Sequence, residues 1–170
     1  MKDISNLIIN YENFPKEGII FKDVLGILKE PNAFKNLIKR MGDSDIIRRS
    51  DAIIAIDARG FIFGSAISYY SSKPMVVARK SGKLPGNLIE SSYELEYGND
   101  TLSIQKDAVK DFHKLAIIDD LLATGGTAKC VSKLIESLGK ENLGLSVVAE
   151  IVNLQGRSKL NFEVKSQIKL

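Results

Sequence analysis

The chain has 170 residues but only one cysteine, Cys130, and one histidine, His113. A lone thiol excludes an internal disulfide and fits a reducing compartment. The histidine precedes an apolar run in HKLAII and reads as a surface loop residue rather than a catalytic base. No apolar run approaches the roughly 20 residues that cross a bilayer. The opening MKDISNLIINYENF lacks the charged-then-apolar layout of a signal peptide, so a soluble cytoplasmic protein is expected. Neither sign of charge prevails. Lys and Arg total 24 against 21 Asp and Glu, a formal +3, which argues against a strongly cationic nucleic-acid binder. What is present is ordinary for a globular chain, 44% hydrophobic and 26% charged, and long enough to bury a core in a single domain without disulfide staples.

Strand-length apolar runs recur at Ala52–Ile56, Met75–Ala78, Leu115–Ile118 and Leu145–Ile151, with helix-like stretches between them at 60–72 and 126–139. That alternation predicts an α/β fold with a mostly parallel central sheet flanked by helices. IIAI and LAII are apolar at both parities, as expected for central strands covered on two faces. From Ser92 to Gln105, Tyr93, Leu95 and Tyr97 alternate with Glu94 and Glu96 before Gly98-Asn99-Asp100 and a second alternating run, which predicts a hairpin with one wet face. KSGKLPGNLIES, just before it, is long for a compact domain and suits a lid or binding loop. Near the N-terminus, Pro15 and Gly18 break periodicity, and Pro31 opens a helix expected to reach about Ile47. The first 30 or so residues read as a small cap on the sheet, and FEVKSQIKL as a final short strand.

The most informative stretch is LAIIDDLLATGGTA, 115–128. Gly125 and Gly126 let backbone approach an anion, and a helix starting near Gly126 or Thr127 aims its unpaired N–H groups and positive dipole end at it. Thr124 and Thr127 add hydroxyl donors, and Ala123 completes the loop. This is a cradle for one phosphate. Asp119 and Asp120 stand at the carboxyl end of the strand, where open parallel sheets bind ligands. Carboxylates beside a phosphate seek donors, either two vicinal hydroxyls or the water shell of a divalent cation. Phosphate plus diol means a ribose 5-phosphate. Neither GxxxxGK[ST] nor GxGxxG is present, which excludes a Walker loop and a dinucleotide fingerprint.

This motif resembles the phosphoribosyl pyrophosphate (PRPP) loop of the type I phosphoribosyltransferases, in the form used by their adenine-specific branch. The similarity continues in DARGFIFG (57–64), RKSGKLPG (79–86), YELEYGNDTLSIQ (93–105), FPKEGIIFKD (14–23) and LQGRSKL (154–160). It implies the type I phosphoribosyltransferase-like fold over 1–170, with an N-terminal hood at about 1–30 and a flexible hairpin lid at about 80–105. It also implies the conversion of adenine and PRPP to AMP and pyrophosphate. Magnesium would travel with PRPP without a strong protein ligand, and the chain would form a homodimer. Neither nucleic acid nor membrane is an expected partner. A 6-oxopurine transferase and a non-catalytic PRPP sensor are the alternatives.

The same resemblance distributes roles. Arg59 and Gly60 form the pyrophosphate loop, although Arg59 at a helix start also fits a solvated residue. Four positive charges at Lys73, Arg79, Lys80 and Lys83 meet no acid in 73–86, whereas 87–100 carries only acids. Such a run is a solvated face or a polyphosphate site. The resemblance assigns Arg79, Lys80 and Lys83 to pyrophosphate and leaves Lys73 solvated. It makes Glu96, in LEYG, the proton-handling residue near adenine N7, with Arg59 beside it in catalysis. Tyr97 closes over the site or packs beside Leu95. The backbone of Ile20, Phe21 and Lys22 reads the adenine edge, Lys22 standing where relatives commonly have Arg. Leu154 packs against the ring or into the core. Cys130, in the first turn of the phosphate-loop helix, is a packing residue unless the dipole activates it.

Overall fold

The structure is a computed structural model and describes residues 4–95 and 98–170. In chain order it contains strands β1 (Ile9–Glu12) and β2 (Ile20–Asp23), helices α1 (Pro31–Gly42) and α2 (Asp45–Arg49), β3 (Ala52–Ile56), α3 (Gly60–Ser71), β4 (Met75–Lys80), β5 (Leu88–Leu95) and β6 (Gly98–Gln105). There follow α4 (Lys106–Val109), β7 (Lys114–Leu122), α5 (Gly126–Ser137), β8 (Glu141–Glu150) and β9 (Val164–Lys169), with short 3-10 turns between some of these. Among the described residues no helix is long and apolar enough to cross a membrane.

Seven strands form one sheet in the order β5-β6-β4-β3-β7-β8-β9. Strands β4, β3, β7, β8 and β9 run parallel, and the β5–β6 hairpin is added antiparallel on the β4 edge. Both-parity apolarity has the expected consequence. Ala52, Ile54 and Ile56 of β3, with Leu115 and Ile117 of β7, pack with Val131, Leu134 and Ile135 of α5. Ile53, Ala116 and Ile118 point the other way and pack with Phe63 and Ile67 of α3 and with Leu37, Ile38 and Met41 of α1. The chain leaves β3 through α3 toward β4 and leaves β7 through α5 toward β8, so the winding reverses between the two central strands. Such a reversal marks the crevice at their carboxyl ends as the place where α/β sheets take ligands.

Three local expectations differ from the structure. The helix from Pro31 stops at Gly42 and a separate α2 follows. Ser44 Oγ donates to the Met41 carbonyl at 2.6 Å, a local bond that competes with continued helix. Gly98, Asn99 and Asp100 belong to β6 rather than to the turn, because Leu95 and Gly98 are already a cross-strand pair. Lys73 is not merely solvated: its Nζ donates to the carbonyls of Ser50 (2.6 Å) and Arg48 (3.2 Å), tying the start of β4 to the end of α2. The N-terminal segment forms its own two-stranded sheet, β1 against β2. Its reversal is held by Gly18 N donating to Asn13 Oδ1 at 2.9 Å, with both residues at positive φ.

Candidate active site

Strand β7 pairs with β3 only as far as Ile118, opposite Ala55, and then continues against β8 alone to Leu122. Asp119 and Asp120 lie in that overhang, where the β3 side is open to the crevice. The acids are therefore still strand residues, with backbone fixed by β8. Asp120 is 4% exposed, and Asp119 Oδ1 accepts from Asp120 N at 2.8 Å. Burial and the neighbouring Asp120 charge push the Asp119 carboxyl well above the usual carboxylate range. Burial also raises Asp120, but the Arg59 guanidinium opposes the rise. Arg59 Nε lies 2.8 Å from Asp120 Oδ2, yet the contact is not aligned as a hydrogen bond, and this buried oxygen has no hydrogen-bond partner among the described residues. An acceptor of this kind costs free energy until a donor reaches it.

The loop after β7 supplies the other half. Gly125 adopts φ +84° immediately before α5, and Gly126 is the first helical residue. Ala123, Gly126 and Thr127 are half-buried and Thr124 is exposed, so the loop is open to an incoming group. The first N–H groups of any helix lack intrahelical partners. The cradle is braced from behind by the 3-10 turn Gly156–Lys159. A Cβ on Gly125 would lie 2.7 Å from the Gly156 carbonyl oxygen, and one on Gly156 would lie 2.1 Å from the Ala123 oxygen and 3.0 Å from Gly125 N. Arg157 anchors that brace by donating through Nε to Glu150 Oε1 at 2.8 Å and through Nη1 to the Val164 carbonyl at 2.7 Å. Glu150 is buried, and the Arg157 contact holds its carboxyl below the usual range.

On the β3 side, the peptide Asp57–Ala58 is cis and Arg59 precedes α3. A Cβ on Gly60 would stand 3.0 Å from Asp119 Oδ1, so the helix start and the acid pair touch, an approach that glycine eases. The Arg59 guanidinium also lies over the Phe21 ring, 4.9 Å from its centroid. This brings β2 to the crevice: Phe21 and Lys22 are half-buried, Ile20 is exposed, and Phe14 meets Phe21 edge-on at 5.2 Å. Leu154 is 41% exposed, which removes the core-packing alternative.

The basic set divides. Arg79 Nε donates to Asp57 Oδ2 at 2.9 Å and Lys80 Nζ lies 2.7 Å from Asp100 Oδ2, both at the carboxyl end of β4. Arg79 Nη1 also donates to the Lys83 carbonyl at 3.3 Å, which places Lys83 alongside. Lys73 lies at the opposite end of the strand. Glu96 and Tyr97 lie outside the described residues. Cys130 is buried, its Sγ donates to the Ser91 carbonyl at 3.2 Å, and burial pushes its thiol up, which favours the packing role. His113 is exposed and uses its backbone N–H to bond Asp51. Sequence reasoning passed over Asp57, Asp100, Gly156 and Arg157. LQGRSKL contains two of them, but nothing local to it reveals that Gly156 abuts a loop 30 residues earlier.

Residues 26–168 match the family model described as a phosphoribosyl transferase domain. An adenine phosphoribosyltransferase of Prochlorococcus marinus is 62% identical over 162 residues, 95% of each chain. The chain belongs to the adenine phosphoribosyltransferases. The crystal structure of the Thermoanaerobacter pseudethanolicus member superposes with a TM-score of 0.92 at 41% identity, over 98% of both chains. That of the Saccharomyces cerevisiae enzyme, complexed with an imino-altritol bisphosphate and adenine, superposes with a TM-score of 0.84 at 36% identity, over 96% of this chain and 95% of that one. The family's fold is thus the α/β arrangement described above.

Proposed function

We propose that this chain transfers the 5-phosphoribosyl group of PRPP to adenine, giving AMP and pyrophosphate, at the crevice between β3 and β7. The observation that carries the reading is the buried Asp120 Oδ2, which pairs with Arg59 but accepts no hydrogen bond, beside the Gly125–Gly126 helix start. An acceptor and an anion cradle on one loop suit the diol and the 5-phosphate of a ribose phosphate. Asp119 and Asp120 hold the ribose hydroxyls, while Ala123, Thr124, Gly125, Gly126 and Thr127 hold the phosphate. Arg59, Gly60, Arg79, Lys80 and Lys83 receive pyrophosphate, where guanidinium groups gain charge-assisted bonds.

The hood is β1–β2, whose Ile20, Phe21 and Lys22 face adenine together with Leu154. The lid is the region from 80 to 105, with Tyr97 closing and Glu96 holding a proton at adenine N7 as N9 attacks the ribose carbon. A carboxyl group there stabilises charge that develops as the ribose acquires oxocarbenium character. Among the described residues no cluster of three or more His, Cys, Asp or Glu is placed to hold a metal. The Asp120 oxygen, paired with Arg59 but accepting no hydrogen bond, nevertheless fits the water shell of magnesium arriving with PRPP. Such an ion would neutralise pyrophosphate as it leaves. A homodimer in the cytoplasm completes the proposal.

The direct test incubates the protein with PRPP, magnesium and each purine base separately. AMP should form from adenine, and faster use of hypoxanthine or guanine would overturn the assignment. Glu96→Gln should lower kcat by about ten- to a hundredfold, with little change in PRPP affinity. Equal kcat in the variant would remove Glu96 from the chemistry.

A further inference from the structure

Three of the four cations assigned to pyrophosphate are paired with carboxylates. Arg59 is held against Asp120, Arg79 against Asp57 and Lys80 against Asp100, at 2.8, 2.9 and 2.7 Å. The third pair has a distinctive build. Lys80 pairs in register with Leu102 of β6, so Asp100 lies two residues along the same strand and on the same face as that partner. Asp100 is pinned where it stands. Its Oδ1 accepts from Thr101 N at 3.0 Å, it sits in register opposite Tyr93 of β5, and its side chain is 19% exposed. The Lys80 side chain is 61% exposed and has four flexible carbons. One member of the pair is fixed and the other is free to swing.

We propose that Asp100 is a positioning residue that acts as an internal counter-anion for Lys80: pyrophosphate binds by exchanging Lys80 from Asp100 to itself, and the carboxylate takes Lys80 back when pyrophosphate leaves. Asp100 therefore lowers pyrophosphate affinity, acting through the lysine. It keeps the ammonium aimed at the crevice without leaving an unbalanced charge there. The inference rests on the pyrophosphate reading of Lys80 given above.

The test is calorimetric titration of magnesium pyrophosphate into the wild type, Asp100→Asn, Lys80→Met and the double variant, with AMP titrated in parallel. A partly exposed ion pair predicts that Asp100→Asn tightens pyrophosphate by about three- to fivefold. AMP, which has no pyrophosphate group, should bind as in the wild type. Lys80→Met should weaken pyrophosphate, and in its background Asp100→Asn should change little. An unchanged or weaker pyrophosphate affinity in Asp100→Asn overturns the proposal. The same tightening with and without Lys80 also overturns it, because the acid would then act by simple repulsion. If Lys80→Met binds pyrophosphate like the wild type, the pyrophosphate reading of Lys80 fails as well. A normal Lys80 effect without an Asp100 effect removes only the exchange.

Discussion

Replacing Asp119 and Asp120 together by asparagine is expected to weaken AMP and PRPP binding in parallel by about a hundredfold. A hydrogen bond to a charged group contributes about 1.5–3 kcal/mol, and two such bonds to a diol total a few kcal/mol. The asparagine oxygens can still accept, so the lower end applies, and each factor of ten corresponds to about 1.4 kcal/mol. Loss of folding is not the cause to expect. The Asp119 carboxyl is raised by burial and by the Asp120 charge. An acid whose folded pKa is raised binds protons more readily when folded, so its ionisation removes stability as pH rises above the unfolded value. The asparagine variant lacks that loss and should keep or raise its Tm at neutral pH. Asp120 N can still donate to the side-chain oxygen at position 119, as it does at 2.8 Å. Calorimetry with AMP and a thermal scan separate the two effects. Unchanged affinity for both ligands would sink the diol assignment.

Gly156→Ala should weaken AMP binding by about a hundredfold and lower Tm, although residue 156 touches no substrate in the proposed reaction. The added methyl would stand 2.1 Å from the Ala123 oxygen and 3.0 Å from Gly125 N, both backbone atoms. No rotamer change relieves a clash with backbone, so either the brace or the cradle must shift. The brace resists, because Arg157 bonds Glu150 on β8 and the carbonyl of Val164 on β9. Gly125 can give on the cradle side, and its displacement moves the helix-start N–H groups away from the phosphate. A misplacement of about 1 Å in a binding group costs on the order of a hundredfold. The readout is the AMP dissociation constant beside that of magnesium pyrophosphate, which should change far less. Equal loss for both ligands would indicate general unfolding instead of a displaced cradle.

The parts of this molecule legible in its sequence are those whose cause is local. Ala52–Ile56 reads as a central strand because it is apolar at both parities, and it is buried at every position between β4 and β7. The loop proposed to cradle phosphate is legible because its strand, acids, glycines and helix start are consecutive, and α5 begins at Gly126 as its glycines predict. The hairpin is visible as alternation, but its turn is not: Gly98-Asn99-Asp100 has turn chemistry, yet pairing with Tyr93, Glu94 and Leu95 takes those residues into the strand. Tertiary pairing outweighed local preference there.

The sequence by itself determined the layer architecture, the strand–glycine–helix loop proposed as a cradle, and the presence of two acids and a basic run. Only the tertiary structure decided how those charges are matched. Arg59 meets Asp120, Arg79 meets Asp57, and Lys73, similar in composition to its neighbours, is spent on the carbonyls of Arg48 and Ser50. It also decided that β7 outruns β3, so that its acids lie beyond the paired part of the two strands, and that Gly156 backs Gly125. The physical reason is range. Hydrophobic periodicity and helix starts act over a few neighbouring residues, whereas an ion pair or a backbone contact depends on where the sheet order carries distant segments.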